Sequence, residues 1–589
     1  MSVKNPFSFE AATSLRDEEV VEWYVKDHNL SRAILSKRNI LVIGNRGSGK
    51  TMMLKYYEIV TQRNAIERTN KESEGKRDDG ECEYFGVYIP CNDGLLLKRE
   101  SSLYEDINSK AISRHILTLY LLYYFSKALS RVEDANPHVL SDEEERSIRT
   151  TVGLSLGCNI SDENRVFKSI SDITRNILID DQVTLNNPNE EPPFKRYHAF
   201  ETLIYPFLAE LKDKEAFKDY HIMLMFDDVQ YLDKYQMRTL NSWISIRSHD
   251  YFSFKTTITR KKDYELFTLS DGAIMEGHDY SAILLEYSMH YPTSDFGKLA
   301  RDVVKKRLEL INSGSSPESF FPMNPRLEVE LKECEKRVKF EYLSEHPKAS
   351  RKQVNDHVYK YAPAIYFRDR YERSRGKAGR PPYSGFDILT YLSTGVIRNL
   401  LEPCFKMYDK VLDEHESKNG MRLIRHGIQT RVIQEISKEK WQVLREGISH
   451  LVPGCAKAED KQILNLFDQL AILFRKRLLD PNASEPRANS FAITEGGLSE
   501  EEREHLFKLL DFAQQAQFLY VRLGTAKDYG GLEEYYVPNR MLWPARGLDP
   551  HGQHARIYLS DRVLLAATIG QKIPYDPKDE VAQEVLFDG

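Results

Sequence analysis

Five short apolar runs punctuate the first half of the chain, at residues 40–43, 85–90, 222–226, 252–259 and 281–287. Most are brief and nearly continuous, as strands covered on both faces read, while 252–259, FSFKTTIT, mixes apolar with polar residues. Helical spacing fills the gaps between them, over 52–63, 104–129 and 234–246. This alternation predicts an α/β domain built on a parallel sheet. Residues 131–200 interrupt it with acidic, polar and helix-prone stretches that close on Pro192 and Pro193, and they read as an insertion. From about 295 to 416 the period is helical throughout, over 296–311, 326–343, 350–374 and 385–414, which predicts an all-helical domain. Beyond it, amphipathic helices are expected at 429–448, 459–479 and 499–516. Strands follow at 518–523, 534–538 and 555–559, with a turn at 528–531 and a loop at 547–554. Domain limits are expected at 1–38, 39–294, 295–418 and 419–589.

A length of 589 residues supports this partition, since one hydrophobic core does not grow that large. The net charge of −6 gives no overall pull toward nucleic acid or anionic membrane, so any DNA contact must be a local patch. Six cysteines, widely spaced and without a C-x-x-C pair, match neither a zinc site nor a disulfide framework and read as a reduced cytoplasmic set. The most apolar stretch, 116–125, is about half a bilayer crossing. The first residues lack the apolar core of a secretory signal, so a cytoplasmic protein without membrane contact is expected.

The chemistry begins at the first apolar run. Residues 39–54 read NILVIGNRGSGKTMML, a strand, a glycine-rich turn and a helix. Gly44, Asn45, Arg46, Gly47, Ser48 and Gly49 form a phosphate-binding loop whose backbone N–H groups turn inward beside a helix N-terminus. Lys50 is placed for the β- and γ-phosphates and the Thr51 hydroxyl for Mg²⁺, so ATP·Mg²⁺ is the expected ligand. The run 221–233, HIMLMFDDVQYLD, ends its strand on two carboxylates. Asp227 is the expected Mg²⁺ residue beside Thr51, and Asp228 the group that orients or deprotonates the attacking water.

Other features are open to two readings. The strand FSFKTTIT runs into Arg260-Lys261-Lys262, so Thr257, Thr259 and Arg260 either sense the γ-phosphate or end a strand in a solvated turn. Arg247 is a weaker candidate for a finger reaching a neighbouring subunit. Phe7 and Tyr24, in the helical segment before the loop, either stack on adenine or pack on the sheet. STGVIRNL, at 393–400, places Arg398 three residues after Gly395 at the start of an apolar helix, where it is aimed at the phosphates. The basic stretch RSRGKAGR, 373–380, reads as a solvated loop, and His551-x-x-His554 has metal-ligand spacing without partners.

The motifs GNRGSGKT, MLMFDDV, TITR and STGVIRNL together resemble the AAA+ ATPases of the origin-recognition type and the related STAND signalling ATPases, over roughly residues 1–410. The resemblance implies a P-loop AAA+ core, a helical lid and a C-terminal winged-helix-like α+β domain. It implies that Arg260 resembles a sensor-1 arginine and Arg398 a sensor-2 arginine, acting with Asp228 in catalysis. It further implies an ATP-hydrolysing switch, the ATPase component of a bacterial antiphage defence system working with a partner effector, and often a homo-oligomer. The alternative it implies is an ATP-dependent DNA-binding initiator or loader. For that role Arg522, Lys527, Arg540, Arg546 and Arg556 would suit phosphate contacts, but Asp511, Asp528, Glu533 and Glu534 dilute the patch, and contact with protein or docking within the chain is the stronger reading.

Overall fold

The computed structural model describes residues 5–8, 12–26, 28–72, 84–96, 106–187, 194–246, 250–285, 292–373, 381–414, 423–525, 531–551, 555–577 and 581–583. The chain divides into two compact units. One is Glu10–Glu286, and the other joins Met1–Phe9 to Tyr287–Gly589.

In the first unit, β1 (Ile40–Ile43), β2 (Tyr84–Pro90), β3 (His221–Asp227), β4 (Phe252–Ile258) and β5 (Ser281–Leu284) form one parallel sheet in the order β2-β3-β4-β1-β5. All four pairings are parallel, as the helical crossovers between the apolar runs require. β4 therefore lies between β1 and β3, and the ends of three strands meet below one crevice. β1, β3 and β4 are buried along their whole length, which is why β1 and residues 222–226 of β3 are continuous apolar runs, whereas β4 also buries the polar Ser253, Lys255, Thr256 and Thr257.

The helix Asp106–Ala135 runs through the expected start of the insertion, and Asp142–Leu156 and Val166–Leu185 follow it. Ile148, Val152, Phe167, Ile170 and Leu178 share one core with the sheet residues Phe85, Leu224 and Phe254. These helices thus extend the sheet's own core, because each carries an apolar stripe that is buried only there.

The second unit begins with the helices Asp295–Glu309, Pro325–Glu345, Arg351–Arg373, Phe386–Leu392 and Ile397–Glu414, the helical lid. The continuous helix expected over 385–414 is broken. Thr394 and Gly395 take φ of 54° and 76°, a left-handed pair that no helix accommodates. Phe7 is fully buried in this unit against Phe320, Phe321 and Tyr408, with ring centroids 5.7–6.0 Å apart, so it is a packing residue.

The C-terminal domain holds a mixed sheet in the order β10-β9-β6-β8-β7, from β6 (Ser490–Thr494), β7 (Leu519–Thr525), β8 (Leu532–Pro538), β9 (Ala555–Ser560) and β10 (Val581–Gln583). β6 and β9 pair in parallel and the other pairs are antiparallel. The three expected strands and three expected helices are present. β6, β10 and the helix Asp561–Thr568 were not anticipated: β6 is only five residues long and follows a polar stretch that reads as a loop.

The arginines expected to face DNA are largely internal. Arg522, Arg540 and Arg556 are 2%, 1% and 2% exposed. Arg540 donates to Pro550 O at 2.8 Å, Arg556 pairs with Glu533 at 2.7 Å, and Arg522 donates to Thr394 O at 3.1 Å. Arg546 pairs with Asp468 and stacks over Trp441. Their charges are spent on carbonyls and carboxylates that would otherwise be buried without partners, so they are no phosphate surface. Lys527, like Arg247, His554 and residues 374–380, lies outside the described residues, while His551 pairs with Asp549. Among the described residues no cluster of three His, Cys, Asp or Glu side chains forms a metal site, and no helix is long and apolar enough to cross a membrane.

Candidate functional site: the crevice above β1, β3 and β4

β1 delivers the chain into the phosphate-binding loop. The Gly44 N–H donates to Ile258 O of β4 at 3.0 Å, which fixes the start of the loop against the neighbouring strand. A side chain at Gly44 would place its Cβ 2.8 Å from Ser48 Oγ and 2.9 Å from Leu285 Cβ, so only glycine lets the loop close here. Gly49 takes φ 102° and caps the helix Lys50–Tyr56. Arg46 reaches out of the loop to the Tyr231 hydroxyl at 3.2 Å.

Lys50 is 5% exposed. Its Nζ donates to Gly44 O at 2.7 Å and Asn45 O at 3.5 Å, and lies 3.8 Å from Asp228 Oδ1. The lysine therefore spans from the loop to the Walker B strand. Asp227, at the end of β3, is 3% exposed. Its Oδ1 accepts the Thr257 hydroxyl at 2.6 Å, its Oδ2 accepts the Tyr88 hydroxyl at 3.0 Å, and Thr51 also hydrogen-bonds it. Burial first, and then the Asp228 charge, push the Asp227 carboxyl above the usual range, while the Thr257 and Thr51 hydroxyls and Lys50 pull it back.

Asp228 adopts the left-handed conformation, φ 56° and ψ 54°. Aspartate tolerates this better than most side chains, and such strain concentrates at functional positions. Its N–H donates to Thr257 Oγ1 at 2.8 Å. One hydroxyl on β4 thus ties both carboxylate residues together. Burial and the neighbouring aspartates push the Tyr88 hydroxyl and the Cys91 thiol well up, so both stay protonated, and Tyr88 remains a donor.

The residues present suit nucleotide and Mg²⁺. Thr51 and Asp227 are already in contact, a hydroxyl and a carboxylate of the hard-oxygen type that Mg²⁺ selects. Three buried polar atoms at the site, Ser48 Oγ, Gln230 Nε2 and Thr259 Oγ1, have no partner among the described residues. Unmet buried groups of this kind point to a missing ligand or water.

The expected residues do not all converge. The loop 44–51, Asp227, Asp228 and Thr257 meet in this crevice. Arg260 is turned into a bidentate pair with Asp263, at 2.6 and 2.8 Å. Tyr24 packs on Tyr56 with centroids 4.3 Å apart. Arg398 belongs to the second unit, half-buried in the first turn of Ile397–Glu414. Two neighbours went unread in the sequence. Tyr88 lies in β2 and Gln230 in the turn after Asp228, and only strand order shows that Tyr88 meets Asp227 and Gln230 meets Thr259.

Among solved structures, the chain is similar to the ORC1 protein of Aeropyrum pernix in complex with DNA, at 10% identity and a TM-score of 0.26, covering 92% of this chain and 96% of that one. It is also similar to Cdc6p from Pyrobaculum aerophilum, at 11% identity and a TM-score of 0.29, covering 96% and 97%. No curated protein matches. The ORC-CDC6-like family model matches residues 5–559, nearly the whole length, and the chain belongs to that AAA+ family.

Proposed function

We propose that this chain binds and hydrolyses ATP with Mg²⁺ and uses the nucleotide state as a conformational switch. The observation that carries the reading is the convergence of Lys50, Thr51, Asp227 and Asp228 at the carboxyl ends of β1 and β3, the two strands that flank β4, the position where such sheets take their ligands. Lys50 would bind the β- and γ-phosphates on leaving the loop carbonyls. Thr51 and Asp227 would hold Mg²⁺, which when bound neutralises phosphate charge. Asp228 would orient the attacking water and take its proton. Arg398 would read the γ-phosphate from the lid, and Arg260 would do so only after releasing Asp263.

Membership of the ORC-CDC6-like family supports an initiator-type role on DNA over the role of ATPase partner to an antiphage effector. The contact surface would have to be other than the buried arginines of the C-terminal sheet. The test is ATP turnover and nucleotide binding by the full chain, with and without duplex DNA. Lys50→Ala is expected to abolish binding. Asp228→Asn, which keeps the left-handed backbone accessible, is expected to preserve binding and slow turnover by about a hundredfold. Stimulation by duplex DNA, with retention that falls steeply in salt, is the expected sign of the initiator role. Unchanged ATP affinity in Lys50→Ala would overturn the assignment.

A further inference from the structure

The turn after the two aspartates holds a polar group that the phosphate-loop motifs leave unexplained. Gln230 lies in the turn Val229–Tyr231, two residues beyond Asp228. Its Oε1 accepts the N–H of Thr259 at 3.3 Å, at the carboxyl end of β4. That bond settles the orientation of the amide, because of its two polar ends only the oxygen can accept a backbone N–H. The NH₂ group therefore faces away from Thr259 N, and its Nε2 is buried without a partner. The Oγ1 of Thr259 beside it is buried and unpartnered too, as is Ser48 Oγ in the phosphate-binding loop. Three unmet polar atoms thus belong to the segments that leave β1, β3 and β4, the strand ends where Lys50 and Asp228 already meet. Arg260, the expected reader of this position, has its guanidinium occupied by Asp263.

The geometry points to Gln230 as a catalytic residue of ATP hydrolysis: its amide N–H holds the attacking water on the γ-phosphate side, with Thr259 Oγ1 as the second contact. This rests on the ATPase reading above. In the step, the water oxygen bonds to the γ-phosphorus while the bond from that phosphorus to the β–γ bridging oxygen breaks. ADP leaves with the electron pair, and a proton of the water passes to the Asp228 carboxylate. Gln230 supplies a donor to one lone pair of the water, so the other is directed at phosphorus. A neutral donor suits this place, because a cation so close would compete with Lys50 for Asp228.

The test uses two variants of the full chain. Gln230→Glu keeps an oxygen for the Thr259 N–H, removes the donor and adds a negative charge. Gln230→Leu removes both without adding charge. Both are expected to bind ATP within about threefold of the wild type and to hydrolyse it at least about a hundredfold more slowly in a single turnover, in the range seen when one preorganised donor is lost. Both should also lose affinity for ADP with aluminium fluoride, which mimics the transferring phosphoryl group, while ADP alone binds as before. Hydrolysis by both variants within about twofold of the wild type overturns the inference. So does a slow Leu variant beside a normal Glu variant, which marks a packing role, or a slow Glu variant beside a normal Leu variant, which marks an effect of the added charge. If Lys50→Ala still binds ATP, the ATPase reading itself falls. If Lys50→Ala loses binding while the Gln230 variants turn over normally, only the role of Gln230 falls.

Discussion

Thr257→Val is the perturbation that best isolates how the two carboxylate residues are held. The side chain is fully buried. Its hydroxyl donates to Asp227 Oδ1 at 2.6 Å and accepts the Asp228 N–H at 2.8 Å. Valine fills nearly the same space, so the loss is almost purely of hydrogen bonds. A bond to a charged carboxylate contributes about 1.5–3 kcal/mol, and an unmet amide costs about 1–3 kcal/mol. Allowing for relaxation of the partly exposed Asp228, we expect a total near 3 kcal/mol. At about 2–4 °C per kcal/mol for a unit of this size, the melting midpoint should fall by about 6–12 °C. If about 2 kcal/mol of that also holds the aspartates during hydrolysis, kcat falls roughly 30-fold. Thr257→Ser is the control. It keeps both bonds and loses one methyl, for about 1 kcal/mol and near-normal turnover. Differential scanning calorimetry and steady-state ATP hydrolysis, run on both variants, decide the matter. A valine variant that matches the serine variant in both assays would refute the bridging role.

Two further outcomes follow from the same unit. Lys255, fully buried in β4, donates to Ser36 O and Arg38 O, and burial lowers its pKa to about 7. Between pH 7 and about 10 the unfolded chain holds a proton that the folded chain lacks, so stability rises with pH in that window. The melting midpoint should climb from pH 7 to 9, and the climb should vanish in Lys255→Met. Gly86→Ala would set a Cβ 2.0 Å from Tyr57 O, the residue that ends the helix carrying Lys50. Backbone cannot yield as a side chain does, so we expect a loss of about 3 kcal/mol with weakened ATP binding, read by urea melts and nucleotide titration.

The sequence by itself determined the parallel α/β core, because strands covered on both faces tend to be continuously apolar, and β1 and residues 222–226 of β3 carry that mark residue by residue. It also determined the phosphate-binding loop and both aspartates. There the chemistry demands glycines followed by a lysine in one loop and paired carboxylates at the end of one strand, and each of the two patterns is complete within a few residues although the chain separates them widely. The helical lid and three strands of the C-terminal sheet were legible from periodicity for the same local reason.

Tertiary structure alone decided what depends on residues distant in the chain. Arg522, Arg540 and Arg556 read as a basic surface, yet each finds buried carbonyls or carboxylates supplied by other segments, and a one-dimensional pattern cannot distinguish a satisfied arginine from a solvated one. The break at Thr394 and Gly395 is held by partners more than a hundred residues away: Arg540 N donates to Thr394 Oγ1, and Asn399 donates to the Tyr520 hydroxyl. Tyr88 reaches Asp227, and Gln230 reaches Thr259, only because the sheet order sets β2 and β4 on either side of β3. Strand order is a matter of how helices cover a sheet, and it leaves no local trace in the residues it brings together.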